Sequence, residues 1–471
     1  MSNLSTTSSP PVAGLVEKDG RWYRADGARV WRAGTLVYDK RGLFRLMFFL
    51  FIGQFTFILE VTALPMMLPL LFEQRAFSAS QMGWLGIFAP LGALLLFPIL
   101  GYFSDRTRTK MGRRRPYDLF TAPFWFVGLL IAPFVDSFFA MMLALALIGF
   151  AGAANNVLTG FYNDVVPPEL MGRFSAGMRL VGSLGVLGFQ FGLLRFFDDH
   201  PEAVFIGLAS VAFVGEMLMI FMVKEGEYPP PEPTRGFSKE IYDYLQEGFA
   251  NRYVVFLWLT LGVTALGGPV MGFYFIRYFT DEEHGLGLSS AQLGTLTGIG
   301  TALGLGLYPF AGWIIDRVGP KLMWGLCGGL VGVLQIAMFF FAHDYWSISA
   351  LYVVFAAVNA VLTVALLPVM FAFIPQSKFG QLNGANQIVT RGLAIAGTLG
   401  CAWLITTMGE QYRYAFLFGG VAYLLTPVFL WLMLKQPYPY QGMPTSMHPD
   451  GRRGAKASQP DTPAPTDPPG A

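Results

Sequence analysis

The stretch from Gly101 to Tyr117 sets the limits on what this chain can fold into. It packs Arg106, Arg108, Lys110, Arg113, Arg114 and Arg115 into a short loop. Apolar runs stand on both sides, Trp84 to Phe103 before it and Tyr117 to Ala140 after it. Each run is long enough to cross a bilayer, which takes roughly 20 apolar residues. Lys and Arg resist translocation, so a dense basic loop between two spans marks the cytoplasmic side. The rest of the 471-residue chain repeats the pattern, since only 13% of residues are charged and they cluster between apolar runs. A soluble domain carries about 25%. The net charge of +2 points to no nucleic-acid partner. Cys327 and Cys401 lie in apolar runs and read as small buried hydrophobes. Residues 1–42 are polar and show no signal peptide, so the first span is expected to be its own insertion signal.

Apolar spans are expected near 43–72, 80–103, 117–135, 138–162, 174–197, 203–223, 252–279, 290–315, 321–342, 346–373, 383–407 and 413–434. One set of loops is basic, with Arg106 to Arg115, Arg173, Lys224, Lys239, Arg317, Lys321 and Lys378. The other set is acidic, with Asp136, Asp198, Asp199, Glu202, Asp281, Glu282, Glu283, Asp344 and Glu410. That asymmetry puts both termini in the cytoplasm. The segments are then a polar tail (1–42), a six-helix bundle (43–223), a cytoplasmic loop (224–251), a second bundle (252–435) and a disordered tail (436–471). The start of the first tail reads as disordered. Its run Gly20 to Arg24 and Trp31-Arg32 is either a headgroup-lying segment or a loosely packed tail. Phe237 to Ala250 reads as a short amphipathic helix. The two bundles look like copies. Gly101-x-x-x-Asp105-Arg106 recurs as Gly312-x-x-x-Asp316-Arg317, and Pro167…Gly172-Arg173 recurs as Pro375…Gly380-Gln381. Parallel repeats of this kind place a solute site near the midplane between them.

Glu60 is the most informative single residue, because a carboxylate in mid-span is costly. A carboxyl that takes up a proton for half of a transport cycle escapes that cost. Gly53, Thr56, Glu60 and Ala63 share one helix face, small and polar, suited to a water-lined cavity. The alternative is a structural acid bonded to a neighbouring helix. Gln54, Thr56, Asn155, Asn156, Thr159, Gln190, Tyr274, Asn359 and Thr363 are candidate solute ligands. Amides and hydroxyls both donate and accept, as sugar hydroxyls do; each could equally bond between helices. Arg179 and Arg391 are candidate buried charge partners or snorkelling residues. Asp164 is expected to pair with Arg113 and latch an inner gate, alongside Asp105, Arg106, Arg173, Asp316 and Arg317. No His, Cys or acidic cluster has metal-ligand spacing, and phosphate loops and nucleophile elbows are absent. Neither an enzyme nor an ATP-driven pump is indicated, and no cofactor is expected.

The order Gly101-x-x-x-Asp105-Arg106…Gly112-Arg113-Arg114-Arg115-Pro116 resembles the loop between helices 2 and 3 of the major facilitator superfamily. Gln54 to Pro65, an acid followed by proline with aromatics ahead, is similar to the first span of the animal proton-coupled sugar transporters related to plant sucrose symporters. So is Ile374-Pro375…Phe379-Gly380…Asn383-Gly384-Ala385-Asn386-Gln387. The resemblance implies an all-α fold of twelve transmembrane helices in two pseudo-repeats. It implies a di- or oligosaccharide moved with a proton by alternating access, and a monomer in a bacterial inner membrane. It also makes the sixth helix peripheral, so Glu216 is expected to be structural. Melibiose-type relatives carry an acid pair where this chain has Ala93 and Phe97, which disfavours sodium and leaves Glu60 as the coupling acid. The rival expectations are a carrier of another solute, such as a drug or pigment precursor, a sodium-coupled sugar carrier, and a nontransporting assembly factor.

Overall fold

The computed structural model describes residues 15–18, 21–228, 246, 248, 249, 251–374 and 379–437. The side chains at 97, 98, 101, 105, 153–159, 269–271 and 379–381 fall outside that description. The expected amphipathic segment 237–250 and the tail beyond 437 also lie largely outside it.

The first half contains α1 (Lys40–Gln74), α2 (Ala79–Gly86), α3 (Phe88–Arg106), α4 (Arg115–Ile131), α5 (Phe138–Val165), α6 (Met171–Gly188) and α7 (Pro201–Met222). The second contains α8 (Arg252–Thr280), α9 (Ser290–Val318), α10 (Pro320–Phe341), α11 (Tyr345–Phe373), α12 (Phe379–Thr407) and α13 (Tyr414–Leu434). The second span is divided, α2 giving way to α3 at Ile87. Among the described residues, eleven stretches are long and apolar enough to cross a membrane. The twelfth span is α5, whose described apolar part is Phe138–Gly152. Exposed Phe120, Leu143, Phe310, Trp313, Trp403 and Trp431 give the bundle an apolar exterior, as lipid contact demands.

Sequence periodicity decides the local contacts. Gly53 and Gly215 let α1 and α7 close on one another, for a Cβ on Gly53 would overlap Met219 and one on Gly215 would overlap Thr56. The halves meet where α1 packs on α8, α2 and α3 on α12, and α6 with the turn after it on α9.

The N-terminal tail departs from expectation, and the chain is not wholly helical. Leu15–Lys18, Arg21–Arg24, Arg29–Ala33 and Leu36–Tyr38 form β1 to β4, an antiparallel meander in sequence order. Gly27 and Gly34, at φ 82° and 57°, make the turns possible. Arg32 stacks over Trp22 and Arg29 over Trp31, so the mixed aromatic and basic residues pack on one another. Val30 is 1% exposed. The Tyr38 hydroxyl donates to the Val165 carbonyl, Arg29 pairs with Glu169, and Glu227 N donates to the Thr35 hydroxyl. The meander is therefore docked on the basic end of the first half. That burial pushes the Tyr38 phenol above its ordinary range.

Candidate functional site

Glu60 sits mid-way along α1 and is buried. It does not line a wide aqueous chamber. The Gly53–Thr56–Glu60 face is turned to α7, where Glu60 and Glu216 share a crevice with Thr56, Phe57, Ala212 and Met219. Its volume is about 10 Å³, the size of one water molecule. The expected water-lined face is instead a helix seam, because the small residues that would admit water also admit α7. Glu216 is brought within electrostatic reach of Glu60. The Thr56 hydroxyl donates to the Ile52 and Gly53 carbonyls of its own helix, at 3.2 and 3.0 Å.

The candidate solute ligands separate. Gln54 is buried on α1. Asn155, Asn156 and Thr159 belong to the α5 backbone, and their side chains lie outside the described residues. Gln190 falls in a π turn, Phe189–Leu193, that interrupts span five. Such turns recur at functional sites. Its Nε2 reaches Met66 Sδ at 3.8 Å, and its buried Oε1 has no partner among the described residues. Tyr274 is fully buried between the halves, its hydroxyl donating to the Ala79 and Thr398 carbonyls at 3.4 and 3.3 Å. Thr363 is exposed on α11 and donates to the Asn359 carbonyl at 2.8 Å. Arg179 is exposed and Arg391 half-buried, and no ion pair forms at either among the described residues. Arg391 lies two turns from Thr398 on the α12 face that meets Gly86 of α2.

At the basic end, Arg113 and Arg114 converge on Asp164, at 2.6 and 2.7 Å. Glu225 accepts the amides of Arg113, Arg114 and Arg115 at 2.8, 3.0 and 2.8 Å. A carboxylate at the N-terminus of α4 is favourably placed against the helix dipole. These contacts tie α4, α5 and the segment after α7 within the first half. Arg106 stacks on Tyr102 and Arg317 on Trp313, at 3.7 and 3.9 Å to the ring centroids. Asp316 and Arg173 are exposed, and the Asp105 side chain is outside the described residues.

The acidic end holds contacts that sequence reasoning missed. Arg277 of α8 pairs with Glu73 of α1 at 2.6 Å, and the Thr280 hydroxyl donates to the other Glu73 oxygen at 2.6 Å. Glu410, in the last loop of the second half, accepts the Ala79 amide at the start of α2 at 2.8 Å. Asp198, in the last loop of the first half, accepts the Ser290 amide at the start of α9 at 3.0 Å. Each half thus caps the second span of the other. The two capped helices begin alike, with boxes Ser78…Gln81 and Ser289…Gln292. Gln292 precedes Asp316 by the spacing at which Gln81 precedes Asp105, so the repeat extends to these caps. These contacts join the two halves at the acidic end.

A sequence model described as Major Facilitator Superfamily matches residues 50–398 and 279–459. The chain belongs to that superfamily: it is an integral membrane transporter and not an enzyme. It is 23% identical to Multidrug resistance protein MdtG of Proteus mirabilis (strain HI4320), over 72% of this chain and 82% of that protein. It is 25% identical to the General alpha-glucoside permease of Schizosaccharomyces pombe over 41% of this chain and 37% of the permease. It is 27% identical to Solute carrier family 45 member 3 of Mus musculus over 44% and 41% of the two chains. The crystal structure of nucleoside transporter NupG superposes with a TM-score of 0.64 at 13% identity, covering 84% of this chain and 99% of that one. That likeness concerns the fold.

Proposed function

We propose that this protein is a sugar–proton symporter that carries a di- or oligosaccharide by alternating access, with its basic end and both termini in the cytoplasm. The observation that carries the reading is Glu60, a carboxyl buried in mid-span beside a second carboxyl and a water-sized crevice. An intramembrane acid so placed is a natural proton carrier. The alpha-glucoside permease among the relatives above supports a sugar. Basic loops gathered at one end support the orientation. The halves would rock about a midplane site, with Glu73–Arg277 and the two cross-half caps closing the acidic end.

The test is uptake of labelled maltose and sucrose into proteoliposomes under an imposed pH gradient. Glu60→Gln is expected to abolish accumulation against the gradient while sparing counterflow exchange. Gradient-driven accumulation by Glu60→Gln would remove Glu60 from coupling. A second reading, proton-coupled movement of a lipophilic drug, draws on the Proteus relative, whose similarity spans more of both chains. A fluorescent lipophilic cation in the same vesicles separates the two.

A further inference from the structure

Span three begins with an acid that the coupling mechanism above does not use. Asp118 stands one turn inside α4 and is 2% exposed, and its Oδ1 has no hydrogen-bond partner among the described residues. The packing shows where it points. Phe126 of α4 stacks on Phe213 of α7, ring centroids 4.5 Å apart. Asp118 lies eight residues towards the basic end from Phe126, about 12 Å at 1.5 Å per residue. Near that level the Arg115 Nε donates to the Ile220 carbonyl at 2.6 Å, which pins the same two helices together. Glu216, one turn before Ile220, therefore falls between Glu60 above and Asp118 below, within electrostatic reach of both. Tyr162 of α5 closes the other side. It is 8% exposed, its hydroxyl has no hydrogen-bond partner among the described residues, and it interacts electrostatically with both Asp118 and Glu216. Beyond Asp118, towards the basic end, comes Glu225, which interacts with it and caps α4.

We propose that Glu60, Glu216 and Asp118 form one proton-binding unit, loaded and emptied from the basic end past Tyr162 and Glu225, on the α4–α7 side of the first half. The inference rests on the proton-coupling reading of Glu60 and adds the other two acids and the route. Three carboxyls in one water-poor seam repel one another when ionised, so their protons come and go as a set. Arg115 stands one turn before Asp118 on α4, and its guanidinium is engaged by the Ile220 and Met111 carbonyls. Tyr162 and Glu225 also interact electrostatically with Asp118. The unpartnered Asp118 oxygen and Tyr162 hydroxyl, with the water-sized crevice beside Glu60, supply the stations between carboxyls that a proton needs. Transfer along the chain is neutral in atoms: each carboxylate accepts a proton from one neighbour and yields one to the next, with no bond to carbon changed.

The probe is the proton itself. The carboxylic-acid C=O band of the full-length protein in nanodiscs is followed by infrared spectroscopy through a pH titration and through exchange into heavy water. Glu60→Gln is expected to remove part of the band. Glu216→Gln and Asp118→Asn are each expected to move the titration midpoint of what remains by about one pH unit or more, the mark of interacting sites. Asp118→Asn should also slow deuterium exchange at least tenfold, and Asp118→Glu should restore it. Folding of each variant is checked by its melting in the same nanodiscs. Titration and exchange unchanged in both Glu216→Gln and Asp118→Asn would overturn the shared unit, yet leave coupling at Glu60 standing. A wild-type protein with no titrating carboxylic-acid band, and no proton flux with maltose or sucrose, would overturn both readings.

Discussion

The cross-half pair Glu73–Arg277 gives the sharpest test of how the acidic end closes. Arg277 is 8% exposed at its side chain and Glu73 26%, so water screens the pair little. Glu73→Gln keeps the shape and removes the charge. Arg277 is not stranded by it, because Asp281, one turn along α8, remains bonded to the guanidinium. The roughly 3–5 kcal/mol cost of orphaning a buried charge therefore does not apply. What is lost is a charge-assisted bond worth about 1.5–3 kcal/mol. Glu73 and Arg277 belong to opposite halves, so the bond exists only while this end is shut. Its loss should raise the open population roughly 10- to 100-fold. The reporter is Thr398→Cys, in a chain whose Cys327 and Cys401 are replaced by alanine. Thr398 is fully buried in the seam against Gly86, so its thiol reacts only when the halves part. The rate with a membrane-impermeant maleimide added at the acidic face should rise at least about tenfold in Glu73→Gln. An unchanged rate would show that the pair stabilises open and closed states alike.

Three further outcomes follow from the structure. Lys110→Cys, exposed in the basic loop, should be labelled only from the cytoplasm; labelling from outside would invert the topology. Asp164→Asn weakens the charge-assisted bonds from Arg113 and Arg114 to a carboxylate that is 12% exposed and should cost about 1.5–3 kcal/mol, read as a lower melting temperature in detergent. In the meander, Arg29→Ala removes a half-exposed ion pair worth at most about 1 kcal/mol. Val30→Asp places a charge in its core and should instead expose residues 15–38 to limited proteolysis, which equal resistance of the two variants would contradict.

The spans and the basic loop were legible because both follow from composition along the chain: apolar length gives the helices, and the Gly101–Pro116 motif gives the family. The meander was not. Its strands run three to five residues, and Arg21–Arg24 and Arg29–Ala33 mix basic with aromatic side chains, which a tail lying on headgroups would also do. Asp118 is only the second residue of the expected span 117–135, directly behind Arg113 to Arg115, so its sequence position does not mark it as an intramembrane acid, yet one helical turn is enough to bury it. The direction of Glu60 depends on α7, far off in sequence, and on glycines that serve close packing as readily as a cavity. Ser78…Gln81 and Ser289…Gln292 carried a readable helix-start pattern. The acids that complete those caps sit in remote loops, where their charge spoke only of sidedness.

The reciprocal caps bear on how the protein is made. The amide of Ala79 and the carboxylate of Glu410 are separated by 331 residues, so α2 enters the membrane long before the ribosome has produced its partner. The local box with Gln81 must hold that helix end through the interval. Asp198, by contrast, is already in place when Ser290 emerges 92 residues later. Assembly is thus lopsided in time although the finished contacts are symmetric. A nascent chain halted before residue 410 would already be clasped at α9 and still be open at α2, and a quality-control factor could tell such a fragment from the finished carrier by that one unfastened corner.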